Sequence, residues 1–405
     1  MRLRRRAAGL VVGAILLFLV GTNVQSGWLL VLSALVLGAA LSGLVLPWFV
    51  VRGITAHRRA PAETFVGDEV RVDLVVTNTT RRSKLWVLVR DSHIAPASAF
   101  VPGLGSRASV ASTTVRRASR RGVVDGGALQ VVSSAPFGVA EARRSVAAGG
   151  RTVVYPRVVP VTSFSLLDAG WKSGEEAPRV AGRGLGQEFL GVREYQRGDS
   201  LRHVHWPSTA RHGSLIVREF EQERRGWLVV IVDSWADAGE AETALDLCCS
   251  VAGSVALAAL ASGRSVSFAA ARDGELLPPL ELGRTEALTW LAELRAPGGL
   301  SFPAAVEAAA PMLRPPATCL LVFPTWRPNT GRSMARAVAA LGAAGVPVAA
   351  VVVDASGLRS RVPVLTPAEA EELRAGLVRA GADAYPVHPE EDLAACLARS
   401  PSAAG

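Results

Sequence analysis

The residues best suited to chemistry are concentrated in one short block, residues 191–211, which holds cations, anions, two imidazoles and two large aromatic rings. Within it, the alternation of apolar and polar residues over 201–206 predicts a strand with His203 and His205 on one face. Asp199 lies just before this strand. A carboxylate beside two imidazoles is a combination that performs general acid–base chemistry. His203 and His205, with Asp199 nearby, could also bind a transition metal. A third well-spaced ligand is not evident, so we expect no metal at this site.

The block also has a purely structural interpretation, which we favour. Its charged side chains would form an ion-pair lattice that holds two domains together, with Trp206 in the core, since structural networks concentrate charge as active sites do. The members of that lattice are Arg193, Glu194, Asp199, Arg202 and Arg211. Elsewhere the sequence has no Gly-x-Ser-x-Gly or His-Glu-x-x-His motif, so no motif pairs a nucleophile with a base.

The spacing of the block resembles the signature of the domain of unknown function 58 family. The residues that carry the resemblance are Arg193-Glu194-Tyr195, Gly198-Asp199, Arg202, His205-Trp206, Ala210-Arg211 and Phe220-Glu221. Two positions depart from the family pattern. Pro207 stands where the family usually has a lysine, and Thr209 where it has a serine. A role that needs the ammonium of that lysine is therefore not expected in this chain.

What the resemblance implies is a partner rather than a reaction. Members of the family look like companions of MoxR-type AAA ATPases, often beside transglutaminase-like membrane proteins. We therefore predict a bacterial, non-enzymatic adaptor for cell-envelope-related assembly, without a cofactor, whose signature residues bind the partner or hold the structure. The alternative is an envelope-associated hydrolase or transferase that uses Asp199, His203 and His205 as its acid–base group.

A second candidate site follows the apolar run at 227–232. Asp233-Ser234 before a predicted helix resembles the opening of a von Willebrand factor A-type domain, whose metal site uses Asp-x-Ser-x-Ser. The third and fifth positions here are Trp235 and Asp237. Asp233, Ser234 and Asp237 would then be degenerate positions that cap the next segment or contact a partner.

Two later positions of that metal pattern are also altered. Leu300 stands where the resembled family has a threonine after a Gly-Gly pair, and a later strand ends in Thr325 rather than an aspartate. Mg²⁺ demands near-octahedral oxygen ligation, which indole and isobutyl groups do not supply. The resemblance thus implies a von Willebrand factor A-like fold that has lost its metal.

The N-terminal segment, residues 1–52, predicts attachment to a membrane. No charged residue occurs from Ala7 through Val51, a length that suits two crossings of about 20 residues each. Arginines lie before the first apolar stretch and after the second, whereas the turn at 21–27 that joins the two stretches carries no charge. Positive flanks mark the cytoplasmic side. We predict a transmembrane hairpin, a multi-pass protein of the cell membrane, with the large C-terminal portion in the cytoplasm; an immediate second span disfavours a cleaved signal peptide.

Three regions are predicted after a proline-containing linker at 53–62. Short alternating strands with Gly, Asn, Asp and Pro between them predict a small antiparallel β-sandwich over 63–160. The signature segment covers 161–225. Continuous apolar strands that alternate with helical stretches, such as 285–294, 334–344 and 367–380, predict a doubly wound α/β domain over 226–400. The fold class is therefore a membrane-anchored combination of α+β and α/β parts.

Composition restricts the partners. The formal net charge is +9, but no basic motif interleaved with aromatic residues is present, so nucleic acid is not predicted as a partner. A lipid bilayer is predicted as a partner, because exposed arginines near an anionic surface gain roughly 1 kcal/mol each. The four cysteines lack metal-ligand spacing and lie in apolar settings, as free core thiols do.

Overall fold

A computed structural model describes residues 2–3, 5–161, 164, 183–184, 188–195, 204–221, 226–235, 242–327, 329, 331–358 and 362–398. The chain divides into two compact units, one of residues 1–157 with 291–293, and one of 158–290 with 294–405. The larger hydrophobic cores fall one in each unit.

Two apolar helices begin the first unit. Helix α1 is Arg5–Asn23 and helix α2 is Gly27–Val51. They contact each other, and the Ser33 hydroxyl of α2 donates a hydrogen bond to the Ala14 carbonyl of α1 over 2.8 Å. Among the described residues, α2 and a later segment, Ala244–Ala261, are long and apolar enough to cross a membrane; the later one is mostly buried, whereas α2 is mostly exposed. These helices weakly indicate membrane association.

The rest of the first unit consists of strands. They are β1 (Arg2–Leu3), β2 (Ile54–Arg59), β3 (Glu63–Phe65), β4 (Glu69–Asn78), β5 (Lys84–Asp91), β6 (Ala97–Leu104), β7 (Ser109–Arg117), β8 (Gly122–Asp125), β9 (Ala128–Ser133), β10 (Ala140–Ala147) and β11 (Arg151–Tyr155). They form sheets in the orders β1-β10-β9-β5-β6, β2-β4-β7 and β3-β11-β8. Alternate residues of the first two sheets, such as Leu74 and Val89, share one core, as predicted for a sandwich. Only β3 and β11 pair in parallel, among these described strands.

The predicted linker at 53–62 is wrong for most of its length. Residues 54–59 form β2, which pairs antiparallel with β4 from Ile54 opposite Asn78 to Arg59 opposite Asp73. The side chains of β2 alternate strictly between buried and exposed. Since Ile54 and Ala56 enter the core of the sheets, hydrophobic burial makes this segment a strand.

A charged cluster is buried inside the first unit. The Asp91 carboxylate accepts hydrogen bonds from Arg58 Nη2 over 2.6 Å, Arg58 Nε over 3.0 Å and Arg116 Nη1 over 2.8 Å, and all three side chains are 1% exposed. His93 is also buried, with Nε2 at 3.0 Å from the Thr152 hydroxyl. The cluster is a salt-bridged connection between three strands and one loop of the unit.

The second unit is built on a six-stranded sheet. Its strands are β15 (Trp227–Val232), β16 (Ser265–Ala269), β19 (Leu280–Glu281), β20 (Ala317–Pro324), β21 (Val348–Val353) and β22 (Ala382–Val387), in the order β19-β16-β15-β20-β21-β22. All neighbours pair in parallel except β19, which is antiparallel to β16. Smaller pairs are formed by β12 (Arg183–Gly184), β13 (Glu188–Glu194) and β14 (Ile216–Glu221), in the order β12-β14-β13, and by β17 (Ala271–Arg272) with β18 (Glu275–Leu276).

The helices in this part of the chain are α3 (Trp206–His212), α4 (Glu242–Ala261), α5 (Arg284–Glu293), α6 (Phe302–Ala309), α7 (Gly331–Ala343), α8 (Pro367–Arg379) and α9 (Leu393–Ala398), with a 3₁₀ turn at Ala310–Met312. Helices α4, α7, α8 and α9 contact strands of the six-stranded sheet. The core joins Val229 and Ile231 of β15 to residues of α6, α7 and α8. Because side chains alternate along a strand, Leu228 and Val230 face the other way, and α4 contacts β15 there. Both faces of the sheet are therefore buried, which explains its continuous apolar strands.

Candidate functional site

The chain order of the strands creates one special position in the six-stranded sheet. From β15 the chain adds β16 and then β19 on one side, and it later adds β20, β21 and β22 on the other. The order therefore reverses between β15 and β20. In open α/β sheets, ligands bind at such a switch point, outside the carboxyl ends of the strands. Asp233 follows β15 and Thr325 follows β20, so both lie at this position.

Asp233 is buried and holds two hydrogen bonds. Its Oδ2 accepts from Asn329 Nδ2 and its Oδ1 from the Trp235 backbone N–H, each over 2.9 Å. Burial raises the pKa of Asp233 to about 6, against the opposing effect of these two hydrogen bonds. The carboxylate is thus directed at protein donors, so each of its oxygens already has a partner.

The neighbouring polar groups are held in the same way. The Ser234 hydroxyl donates to the Ala271 carbonyl over 2.7 Å, and the Ser234 carbonyl accepts from Gly298 N–H over 2.6 Å. Gly298 is needed for this approach, because an added Cβ would lie 2.5 Å from Ser234 Oγ. The Thr325 hydroxyl accepts from the Ala355 N–H over 3.0 Å. Internal hydrogen bonds therefore hold the oxygens that a hard cation would need.

Two tryptophans border this edge. Trp326 is buried, and Trp235 is half-buried with its ring 6.4 Å from that of Trp326. In the part of the chain that the structure describes, the buried Trp326 Nε1 has no hydrogen-bond partner, and no group of three His, Cys, Asp or Glu side chains is placed to hold a metal ion.

A second polar pair lies further along the carboxyl edge. Asp354 follows β21 and His388 follows β22, with His388 Nδ1 3.1 Å from Asp354 Oδ2. Burial alone would raise the pKa of Asp354, but hydrogen bonds from Ser356 and His388 hold it below its usual range. Both side chains are partly exposed, and exposed pairs of this kind contribute little stability.

The signature block is organised around the pairing of β13 with β14. Arg193 lies opposite Val217 and Glu194 opposite Ile216. The chain stays beside β14 afterwards, because Tyr195 N–H donates to the Leu215 carbonyl and His205 N–H to the Ile216 carbonyl. Backbone hydrogen bonds thus bring both ends of the block together.

The predicted strand over 201–206 is wrong at its C-terminal end. Val204 makes a single bridge to Val217, and helix α3 begins at Trp206. Pro207 favours this start, because its fixed φ and missing N–H suit the first helical turn. The helix ends at His212 and is capped by Gly213, whose φ of 70° is the left-handed conformation typical of helix C-termini.

Trp206 does not lie in the core, contrary to the structural interpretation of the block. Its side chain is 67% exposed. Pro207, Ala210 and Arg211 are exposed too, and their spacing places them with Trp206 along one side of α3. The opposite side is bound to the protein: Ser208 Oγ lies 2.7 Å from His205 Nδ1, and Thr209 Oγ1 accepts from Ile216 N–H over 3.0 Å.

A comparison with protein families gives one match to this part of the chain. Residues 191–354 match the family described as "Protein of unknown function DUF58". The match spans 164 of the chain's 405 residues. The resemblance predicted from the signature is therefore confirmed, and the DUF58 stretch covers the signature block together with β15, β20 and β21.

The other comparisons add no relative that defines the fold. No curated protein matches the chain. The CARDB domain of a Pyrococcus furiosus protein is 14% identical, with 25% of this chain and 94% of that chain covered, at a TM-score of 0.20. A β-glucosidase from Listeria innocua in complex with gluconolactone is 16% identical, with 25% and 16% covered, at a TM-score of 0.14. A DNA glycosylase from Pseudomonas fluorescens bound to abasic-site DNA is 14% identical, with 33% and 46% covered, at a TM-score of 0.16.

The described candidate residues of the DUF58 stretch lie at three places. His205, Trp206 and Arg211 lie together on or beside α3, whereas Asp233 and Ser234 lie at the switch point. Arg193, Glu194 and Tyr195 lie at the end of β13 and just after it. The remaining candidates, Gly198, Asp199, Arg202, His203 and Asp237, lie outside the described residues.

Sequence reasoning missed Asn329, which is buried and connects Asp233 to the Pro324 carbonyl through Nδ2. An available signal was an amide side chain in a turn-like Pro-Asn-Thr-Gly stretch soon after a buried strand.

Proposed function

We propose that this chain is a membrane-anchored, non-enzymatic adaptor that binds a MoxR-type AAA ATPase during cell-envelope-related assembly. In this proposal α1 and α2 form a transmembrane hairpin, and the rest of the chain, from β2 onward, lies in the cytoplasm. Two antiparallel apolar helices joined by three residues support the hairpin. The arginines that flank it support the cytoplasmic orientation. A transglutaminase-like membrane protein is a further neighbour in the proposed assembly.

We assign the second unit a von Willebrand factor A-like fold within this proposal. Its order, with an antiparallel strand at one edge and a reversal between β15 and β20, supports the assignment. Asp233 also lies where the resembled domain begins its metal motif. The internal hydrogen bonds of Asp233, Ser234 and Thr325 support the further proposal that no Mg²⁺ binds at this edge.

The observation that carries the adaptor proposal is the exposed indole of Trp206. A tryptophan that is 67% exposed on a helix fixed from behind by the backbone N–H of His205 and the hydroxyl of Thr209 provides a preorganised anchor. Interface hot spots are enriched in tryptophan and arginine, and Arg211 is exposed on the same side of the helix. The signature of the family thus presents a contact surface, while its hydrogen-bonding residues build the support.

The test is recovery of the partner by the full-length protein. The detergent-solubilised chain, purified from its native host after brief cross-linking, is expected to bring an AAA ATPase with it. Trp206→Ala should weaken the interaction by about 2 kcal/mol, or roughly 30-fold. Met312→Ala is the matched control, because Met312 is an exposed apolar residue of the same unit at another place. Equal loss in both variants, or recovery of only the chain and lipid, would contradict the proposal.

Metal binding is tested separately by isothermal titration of the full-length protein with Mg²⁺ or Mn²⁺. No saturable heat is expected. Micromolar binding that Asp233→Ala abolishes would refute the loss of the metal site, yet it would leave the adaptor role open to the cross-linking test.

The hydrolase or transferase alternative makes the opposite prediction for the imidazoles. Under the adaptor proposal, replacing His203 and His205 by alanine leaves folding and partner recovery largely intact. Under the alternative, the same changes abolish turnover of a substrate while partner recovery is irrelevant. Measuring both quantities on the same variant preparations separates the two functions.

A further inference from the structure

Three large apolar side chains are exposed together at one end of the first unit. Leu85, Trp86 and Phe137 are 56%, 47% and 55% exposed. Ser133 Oγ donates a hydrogen bond to the Trp86 carbonyl over 3.3 Å, which brings the 134–138 loop beside the start of β5. We call Leu85, Trp86 and Phe137 the apolar tip. Exposed apolar side chains that form a contiguous patch mark interaction sites, whereas singly scattered ones are ordinary.

The apolar tip lies against α2. A Cβ added to Gly43 would lie 2.7 Å from Val139 Cγ2 and 3.7 Å from Phe137 Cβ, so the helix passes directly beside the loop. Lys84, next to Leu85, donates from Nζ to the Phe49 carbonyl of α2 over 2.5 Å. Along α2, Ala40, Gly43, Pro47 and Val51 are buried at helical spacing, and Val51 enters the core of the strands.

The position of Gly43 along α2 gives the depth of the tip. Trp28 and Trp48 are both exposed, and 20 residues of helix separate them by about 30 Å, which is the thickness of the hydrocarbon core of a bilayer. Tryptophans concentrate at the two interfaces of a membrane. Gly43 lies about 7 Å from Trp48 on the side of Trp28. Phe137 therefore lies deeper than the interfacial level that Trp48 marks.

We infer that the apolar tip inserts into the cytoplasmic leaflet. The strands of the first unit then contact lipid, in addition to the two helices that cross the bilayer. The inference rests on the proposed membrane anchoring. Continuity with α2 identifies the occupant as lipid, because the same helix that buries Gly43 against the loop exposes Val45, Leu46 and Phe49 on its other sides. Arg81 and Arg82 are exposed just before β5 and supply charge complementary to anionic headgroups.

The experiment uses the full-length protein in vesicles of phosphatidylcholine with a minority of phosphatidylglycerol. An environment-sensitive fluorophore is attached to one introduced thiol at a time, since all four native cysteines are buried. Phe137→Cys and Leu85→Cys report on the tip, and both positions are exposed, so the substitutions leave the core intact. Leu35→Cys, exposed in the middle of α2, reports on anchoring itself.

Val115→Cys is the matched control on the same unit. Val115 is apolar and 59% exposed, but it lies at the other end of its sheet. Val115 of β7 pairs with Arg71 of β4. Ser109, at the other end of β7, pairs with Thr77, which lies opposite Thr55, close to where the chain leaves α2. Six residues of strand separate the two levels by about 20 Å.

Lipids that carry a spin label high on the acyl chain should quench the fluorophore at positions 137 and 85 at least about twofold more than at position 115. Lipids labelled near the terminal methyl should quench position 35 most. If position 35 is quenched but the tip is no more quenched than position 115, the inference is overturned and the anchoring proposal stands. If position 35 is not quenched either, both fail.

Discussion

The buried charge cluster of the first unit gives the sharpest stability prediction. Its two guanidinium groups and one carboxylate carry a net charge of +1, because Arg58 and Arg116 are both paired to Asp91 at 1% exposure. Burial alone would raise the pKa of Asp91, but hydrogen bonds from Arg58, His93 N–H and Arg116 hold it below its usual range. The carboxylate is therefore ionised at neutral pH and balances one of the two arginines.

Asp91→Asn removes that balance with almost no change of shape. The amide keeps one acceptor oxygen, but its NH₂ group replaces the Oδ2 that accepts from Arg58 Nε and Arg116 Nη1. Two hydrogen bonds to charged groups, each worth about 1.5–3 kcal/mol, are lost, and the buried net charge becomes +2. Breaking a buried ion pair on one side typically costs about 3–5 kcal/mol. We therefore expect the free energy of unfolding of the first unit to fall by about 3–5 kcal/mol.

The assay is hydrogen exchange followed by mass spectrometry on the full chain, because a protein of two units does not unfold as a single two-state system. Peptides from β4, β5 and β7 should lose protection by a factor of about 100 or more. Asp125→Asn is the control, since Asp125 is exposed and its oxygen is 3.9 Å from Arg151. A loss below about 1 kcal/mol in Asp91→Asn would refute the reasoning, because it would show that the arginines reach water when the carboxylate is removed.

Three further predictions concern titration and packing. Burial and the positive charge of Arg58 hold the pKa of His93 below its usual range. The first unit should therefore lose stability as the pH falls below about 6.5, where the unfolded chain takes up a proton. His93→Gln should flatten this pH dependence in the same exchange assay. Asp233 has the opposite sign: with its pKa raised to about 6, protection of β15 should decline by roughly 3 kcal/mol as the pH rises from about 3 to 7. Asp233→Asn should remove that decline, and its persistence would assign the decline to another group. Gly298→Ala should destabilise the second unit by about 1–3 kcal/mol, because its Cβ would collide with Ser234 Oγ and the Ala271 carbonyl. The control Gly342→Ala, at a helical site with open space, should stabilise by about 0.5–1 kcal/mol, as a thermal unfolding series would show.

The strands of the second unit were predictable because burial alone selects them. Residues 227–232 are apolar without interruption, and the observed β15 begins and ends with that run. The predicted helices near 285–294 and 367–380 differ from α5 and α8 by one residue at most at each end. For α8 the reason is local, because Thr366 and Glu369 form a capping box that fixes where the helix begins. Strand pairing was not predictable to the same extent, since β13 and β14 pair across a long, polar intervening segment.

The failures lie where a local pattern competed with a distant contact. Alternation suggested a strand up to Trp206, yet the proline after it and the hydrogen bond from Ile216 N–H to Thr209 Oγ1 favour a helix. Residues 54–59 contain two arginines and precede Pro61, and they looked like a linker, but Arg58 is neutralised by Asp91, which is 33 residues away. Asn329 and Asp233 are separated by 96 residues, so no local window shows that they meet. Polar groups at the candidate site are chosen by such partners rather than by their neighbours in sequence.

The short junction between α2 and β2 has a mechanical consequence. Only Arg52 and Gly53 separate the helix from the strand, and Val51 and Ile54, on either side of the junction, both enter the sandwich core. A flexible linker of ten residues has a root-mean-square end-to-end distance of about 18 Å and transmits no orientation. This two-residue junction transmits a tilt of the helix directly to the strands. In the proposed orientation the strands of the first unit are rigidly connected to the membrane helices rather than flexibly tethered to them. A partner that pulls on the strands would therefore exert torque on the helices, and a change of bilayer thickness that tilts the helices would rotate the strands.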